Sequence, residues 1–150
     1  MIQRPFYIEQ LSAATRRSPV TTLLGPRQCG KTTLARMFAE GKKATYFDLE
    51  SQPDFQRLQN PELMLGSLNG IVILDEIQIM PELFNVLRVL ADRPKNRTRF
   101  LVLGSASPGI ISGIISGQAC YFAIYEIVLP HGSETATPLS RSTVPRYFAW

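Results

Sequence analysis

Hydrophobic residues in this chain cluster into short apolar runs, separated by longer segments with helical periodicity. Runs rich in β-branched or aromatic residues predict β-strands at 20–24, 44–49, 71–74 and 100–103. Helices are predicted at 6–17, 33–40 and 81–91, with further helix starts at Ser51 and Asn60. Strands that alternate with helices predict an α/β fold, in which a parallel sheet carries helices on both faces.

Two of these helices carry more detailed signals. Asp54 follows Ser51 by three residues, as in a capping box, so Ser51 is predicted to cap the helix that it precedes. In the helix at 81–91, Leu83, Leu87 and Leu90 recur at helical spacing. We expect these three leucines to face the core.

The pattern weakens after residue 107. An apolar segment at 119–129 predicts a fifth strand, whereas the Ser/Thr/Pro-rich stretch at 130–150 has no period and is interpreted as an irregular or disordered tail. A chain of 150 residues is long enough for one domain with a substantial core. We therefore predict a single domain at 1–129, followed by the tail.

Composition narrows the class of protein. Apolar residues make up 45% and charged residues 19% of the chain, which excludes a disordered polyelectrolyte. Two cysteines exclude a disulfide framework, and the absence of an apolar run of about 18 residues predicts no membrane span. The charged N-terminal segment does not resemble a signal peptide, so a cytoplasmic location is expected. The net charge of +4 suits an anionic ligand such as a nucleotide.

The strongest motif lies between the first predicted strand and the helix that follows it. Residues 25–32 match G-x-x-x-x-G-K-[ST] in full, in the strand–loop–helix context that a phosphate-binding loop requires. Glycines allow the backbone N–H groups to approach the phosphates, and the helix N-terminus points at them. Lys31 is predicted to reach the β- and γ-phosphates of ATP, and Thr32 to ligate Mg²⁺. The predicted ATP-binding residues are Gly25, Pro26, Arg27, Gln28, Cys29, Gly30, Lys31, Thr32 and Thr33.

Acidic residues follow the third strand directly, as in a Walker B segment. Asp75 is predicted to hold Mg²⁺ through water, and Glu76 to orient or deprotonate the attacking water. Ser105 ends the next strand, where its hydroxyl is expected to touch the γ-phosphate or the water, with Ser107 as the competing candidate. The predicted catalytic residues are thus Lys31, Glu76 and Ser105.

These segments carry a family resemblance. The strings LLGPRQCGKTTLAR, YFDLE, IVILDEIQ with MPELF, and FLVLGSAS resemble prokaryotic ATPases of the AAA+ superfamily, in the group that couples an ATPase domain to a C-terminal domain of unknown function. The likeness covers about residues 1–121. It implies a P-loop sandwich with a five-stranded sheet in the order 5-1-4-3-2. It also implies ATP and Mg²⁺ as cofactors and an Mg²⁺-dependent ATPase or ATP-driven switch.

The chain departs from this group at two places. Gln118 stands where similar members have an arginine, which puts a phosphate or subunit contact of that residue in doubt. Since the sequence ends at Trp150, we also expect neither the group's C-terminal domain nor a helical lid. These departures predict a truncated or degenerate member with weak activity, below about 1 s⁻¹.

Other functions remain as alternatives. A small P-loop kinase would use Asp48 and Glu50 to hold a phosphate acceptor, and a nucleotide-gated module would bind DNA or protein with little turnover. The basic cluster at 93–99 lacks interleaved aromatic residues and is interpreted as a solvated loop, with nucleic-acid contact as the alternative. Besides ATP, the partners considered are a second copy of the chain, a protein or DNA.

Overall fold

A computed structural model describes residues 4–105 and the backbone of residues 122–126. Three predictions fall on positions outside these residues: the role of Ser107, the departure at Gln118 and the tail at 130–150. The predicted boundary at residue 129 lies outside them as well. The architecture below therefore concerns the described ranges.

The elements follow the predicted alternation of helix and strand. In chain order they are α1 (Arg4–Arg17), β1 (Val20–Leu24), α2 (Lys31–Ala39), β2 (Ala44–Asp48), α3 (Gln52–Arg57), α4 (Pro61–Gly66), β3 (Gly70–Asp75), a 3₁₀ helix (Ile77–Ile79), α5 (Leu83–Ala91), β4 (Thr98–Gly104) and β5 (Phe122–Glu126).

All five strands form one parallel sheet in the order β2-β3-β4-β1-β5. This is the expected order 5-1-4-3-2 read from the opposite edge of the sheet. The α/β P-loop fold class predicted from sequence is therefore confirmed. Since parallel strands all end at the same edge, the loop after β1 lies beside the ends of β4 and β3.

Helices on each face of the sheet cover a separate hydrophobic core, as expected for a parallel sheet. One core contains Leu83, Leu87 and Leu90 of α5, so these leucines face inward as predicted. The other contains Leu11 of α1 and Leu34 of α2. The two cores hold the ends of β1, β3 and β4 in fixed relative positions.

Three local features differ from the expectations. A 3₁₀ helix at Ile77–Ile79 follows β3, and α5 begins at Leu83 rather than at 81. Ser51 precedes α3 but makes no side-chain capping bond. The capping box fails because the Asp54 carboxylate accepts from Asp48 N at 3.0 Å and from Arg57 at 3.1 Å instead. Asp54 thus ties α3 to the end of β2.

Gly70 starts β3 at a point of close backbone approach. Its φ is +88°, and a Cβ atom there would collide with the carbonyl oxygen of Lys43. Gly41 has a similar φ of +73° but open space around it.

We expect Gly41→Ala to lower the free energy of unfolding by about 1–2 kcal/mol through left-handed strain. Gly70→Ala should lower it by about 1–3 kcal/mol more because of the collision. Urea denaturation measures both, and equal losses would refute the close approach.

Candidate nucleotide-binding site

The predicted site residues converge at the carboxyl-terminal edge of the sheet. Gly25 N donates a hydrogen bond to Gly104 O at 3.3 Å, which places the start of the phosphate loop beside Ser105. Asp75 is the last residue of β3, and β3 neighbours β4. The sheet order therefore explains why segments far apart in sequence form one site.

The loop at 25–30 has a backbone suited to anion binding. Gln28 and Gly30 both adopt positive φ, at 60° and 88°, and such turns direct successive N–H groups into a concave nest. Within the described part of the chain, no backbone hydrogen bond uses the N–H groups of residues 30–33. Pro26, Arg27, Gln28 and Gly30 are exposed. The free N–H groups at the start of α2 can therefore bind a phosphate.

Lys31 is the buried cation of the loop, with only 5% of its surface exposed. Its Nζ donates to Gly25 O at 3.0 Å and to Pro26 O at 2.8 Å. It also contacts Cys29 Sγ at 3.8 Å. These bonds hold the ammonium group inside the loop, where phosphate oxygens are expected to bind.

The first helical turn and the third strand are joined by a direct side-chain bond. Thr32 Oγ1 donates to Asp75 Oδ2 at 2.7 Å, across 43 positions of sequence. Asp75 itself is buried at 3% exposure, and its Oδ1 accepts from Glu76 N at 3.0 Å. Thr32 and Asp75, the two predicted metal ligands, therefore lie together, and their hydroxyl and carboxylate oxygens are close enough to bind one ion.

Tyr46 is a third member of this cluster, and no sequence motif assigns it a role. Its hydroxyl donates to the same Asp75 Oδ2 that accepts from Thr32. Arg36, one turn after Thr32 on α2, packs over the Tyr46 ring at 5.0 Å from its centroid. Burial, followed by the hydrogen bond to Asp75, raises the pKa of Tyr46, so the hydroxyl stays protonated and remains a donor.

Glu76 leaves the strand in an unusual conformation. Its φ of 58° and ψ of 45° are left-handed, which few non-glycine residues adopt. The half-buried carboxylate accepts a bond from Gln78 Nε2, which belongs to the 3₁₀ helix. Gln78 Oε1 is buried without a hydrogen-bond partner among the described residues. The turn into the 3₁₀ helix therefore brings Gln78 within hydrogen-bond reach of Glu76.

Two further loop residues have local partners. Arg27 forms an ion pair with Glu50 at 3.1 Å, with 73% and 53% of the two side chains exposed. An ion pair this exposed contributes little to stability. Cys29 is a free cysteine with 5% exposure. Its burial favours a packing role over reaction with thiol reagents.

Tyr46 and Gln78 could not be identified from the motifs. Tyr46 lies two residues before the end of β2, a position that has no motif of its own, and its relation to Asp75 depends on β2 pairing with β3. Gln78 bonds to Glu76 only because residues 77–79 form a 3₁₀ turn. The one sequence signal was the polar character of YFD and DEIQ beside the apolar strands.

Among the described residues, no helix is long and apolar enough to cross a membrane. The same residues contain no group of three or more His, Cys, Asp or Glu side chains that could hold a metal on their own. A cation at this site would therefore need ligands from a nucleotide or water as well.

Comparison with known proteins agrees with this geometry. Residues 17–128 match the family described as AAA domain. Uncharacterized proteins of Mycobacterium bovis and Mycobacterium tuberculosis are each 47% identical over 111 residues, which is 74% of this chain and 25% of theirs. The chain thus spans about a quarter of the length of these curated relatives.

A solved structure shares the fold. The Walker-type ATPase of Pyrococcus abyssi superimposes with a TM-score of 0.61 at 15% identity. The match covers 84% of this chain and 54% of the archaeal chain. At this level of identity the likeness establishes the fold, and the assignment of roles rests on the residues themselves.

Proposed function

Since the chain belongs to the AAA domain family, for which ATP binding is expected, we propose that it binds Mg²⁺-ATP at the carboxyl-terminal edge of its sheet and hydrolyses it. The N–H groups of residues 30–33 and the Lys31 ammonium bind the phosphates. Glu76 activates water, and Ser105 contacts the γ-phosphate or that water. The ATP-binding segment is the predicted one, 25–33.

The oxygen donors at the end of β3 fit Mg²⁺. Magnesium favours oxygen ligands and usually combines one or two protein groups with phosphate oxygens and water. Thr32 Oγ1 and Asp75 Oδ2 supply such groups 2.7 Å apart. Thr32 would ligate the ion directly and Asp75 through water. The bound ion would neutralise charge on the β- and γ-phosphates.

Glu76 is the residue proposed to act on water. A base in this role must reach the water and hold an acceptor oxygen toward it. The bond from Gln78 Nε2 occupies Oε2 of Glu76 and fixes the carboxylate, so Oε1 is the oxygen proposed to accept the proton. The left-handed turn at Glu76 leads into the 3₁₀ helix that supplies Gln78, so the turn and this bond together set the position of the carboxylate.

The observation that carries the proposal is the Thr32–Asp75 hydrogen bond. It joins the phosphate-loop motif to the Walker B segment, and it is a contact that neither motif predicts by itself. Isothermal titration of ATP with and without Mg²⁺ tests binding, and phosphate release with ATP alone tests hydrolysis. We expect Mg²⁺ to strengthen ATP binding and Asp75→Asn to remove much of that benefit. ATP binding that is indifferent to Mg²⁺ in the wild type would contradict the proposed metal site.

Tyr46 is proposed as a positioning residue for Asp75. Hydrogen-bond partners of metal ligands commonly contribute about 10-fold or more to metal affinity. We expect Tyr46→Phe to raise the Mg²⁺ concentration needed for half-maximal ATP affinity by about 10-fold. ATP affinity without Mg²⁺ should stay unchanged, which separates this role from a structural one.

Tyr7→Phe is the matched control, since it removes a tyrosine hydroxyl from α1, which does not contribute to the site. The Mg²⁺ titration of this variant should follow the wild type. If Tyr46→Phe also titrates like the wild type, Tyr46 does not position the metal ligand.

No contact among the described residues favours the kinase alternative over the proposed ATPase. Asp48 Oδ1 accepts from Glu50 N at 2.9 Å, and Glu50 pairs with Arg27. Both carboxylates therefore already have partners, whereas a kinase would need them for a phosphate acceptor. Phosphate release that requires an added acceptor would favour the kinase over the proposed ATPase.

A further inference from the structure

The amino-terminal edge of the sheet, opposite the nucleotide site, collects basic residues from three separate elements. Ile71 N donates to Lys43 O at 2.9 Å and Phe100 N to Pro19 O at 2.8 Å, which aligns the starts of the strands. Gly70 also pairs with Thr98. The segments that lead into β1, β2 and β4 therefore end side by side, and each brings Lys or Arg.

We define this basic edge as the Lys and Arg residues within five positions before, or one position after, the first residue of β1, β2 or β4. Its members are Arg16, Arg17, Lys42, Lys43, Arg93, Lys95, Arg97 and Arg99. They are eight of the 16 Lys and Arg residues in the chain, and all except the half-buried Arg99 are exposed. Only the loop at 93–99 is visible as a basic cluster in the sequence, because the strand order brings Arg16, Arg17, Lys42 and Lys43 to the same edge.

Acidic residues neutralise little of this edge. Arg93 pairs with Glu62 at 2.7 Å, and it is the one basic-edge residue with an ion pair in the part of the chain that the structure describes. By contrast, the opposite edge carries Asp48, Asp75 and Glu76 at the strand ends. The strand ends therefore carry these carboxylates beside Arg27 and Lys31 of the phosphate loop, whereas the strand starts carry mainly cations.

Like charges are held close together on the basic edge. Burial, and then the positive charge of Arg16, lower the pKa of Lys42. Lys42 Nζ donates to Phe38 O at 2.6 Å and lies 3.5 Å from the Phe38 ring centroid, which fixes the ammonium group at the carboxyl-terminal turn of α2. These contacts offset part of the repulsion from Arg16, and a bound polyanion would offset more of it.

We propose that the basic edge binds the phosphate backbone of a nucleic acid. Neighbouring strands are about 4.8 Å apart, so the starts of β2, β4 and β1, with β3 between β2 and β4, spread these cations along about 14 Å. A row of exposed cations matches the repeating charge of a nucleic-acid strand. Ammonium and guanidinium groups bind phosphates regardless of sequence, so we expect the contacts to be mainly to the backbone.

Fluorescence anisotropy with a short labelled DNA duplex tests this proposal on the full chain. We expect binding that weakens steeply between about 50 and about 200 mM salt. Lys95→Gln combined with Arg97→Gln should weaken binding and reduce the salt slope by about 2, or about 1 for each phosphate that the variant no longer neutralises. Both side chains are exposed, so circular dichroism should show an unchanged fold.

A matched control separates the basic edge from overall charge. Gln56→Glu with Gln59→Glu changes the net charge by the same amount on exposed positions at α3 and just beyond it. This control should keep the wild-type salt slope. A second edge variant, Arg16→Gln with Lys43→Gln, should weaken binding to the same degree through two other elements.

Three results would overturn the proposal. The first is salt-independent or undetectable binding of the duplex by the wild type. The second is equal weakening in the edge variants and the α3 control, which would indicate a net-charge effect. The third is stronger binding of polyglutamate than of the duplex at equal salt, which would indicate an acidic protein as the partner.

Discussion

Lys31→Ala is expected to weaken ATP binding by about 10–150-fold. A hydrogen bond to a charged group contributes about 1.5–3 kcal/mol, and Lys31 is the one buried basic side chain of the phosphate loop. The substitution also leaves Gly25 O and Pro26 O without their donor. Isothermal titration with Mg²⁺-ATP measures the affinity, and thermal denaturation checks that the loop still folds.

Lys42→Ala supplies the control for this experiment. Lys42 also donates its ammonium to a backbone carbonyl, that of Phe38, but it lies at the opposite edge of the sheet. We expect its ATP affinity to equal that of the wild type. Unchanged affinity in Lys31→Ala would show that residues 25–33 are not the ATP site.

Glu76→Gln should retain ATP binding but reduce hydrolysis by about 100-fold or more, the usual contribution of a general base. The amide keeps the shape of the side chain and its bond to Gln78, but it cannot take up the proton from water. Single-turnover phosphate release is the appropriate measurement, because it separates the chemical step from product release.

Glu82→Gln makes the same chemical change on an exposed glutamate six residues further on. Its hydrolysis rate should match the wild type. If Glu76→Gln hydrolyses ATP at the wild-type rate as well, Glu76 is not the base, and another group must activate the water.

The strands and the site motifs were predictable because their signals are local. The phosphate-loop motif after β1 is recognised from the spacing of Gly25, Gly30 and Lys31 alone. A continuous apolar run such as Ile71–Leu74 is typical of a buried strand. The strand order came from the family resemblance, since hydrophobic pattern alone does not order parallel strands. These two sources together placed the phosphate loop beside Asp75.

The remaining features depend on contacts between elements. Tyr46 reaches Asp75 because β2 lies next to β3, and Arg16 approaches Lys42 because α1 packs beside α2. Asp54 does not complete the predicted capping box because its carboxylate accepts from the backbone N–H of Asp48 at the end of β2. In each case the contact joins residues of two different elements. Residue spacing within one segment does not show which element packs beside it.

The bonds that Lys31 makes within its own loop have a consequence for ligand choice. Its ammonium has three hydrogens, and two of them are donated to Gly25 O and Pro26 O. A first phosphate oxygen can accept the third hydrogen, whereas each further contact must displace a carbonyl group. Those further contacts exchange one acceptor for another, so their net free energy depends on how many anionic oxygens the ligand offers. We therefore expect this lysine to favour ligands with longer phosphate chains over a nucleoside monophosphate.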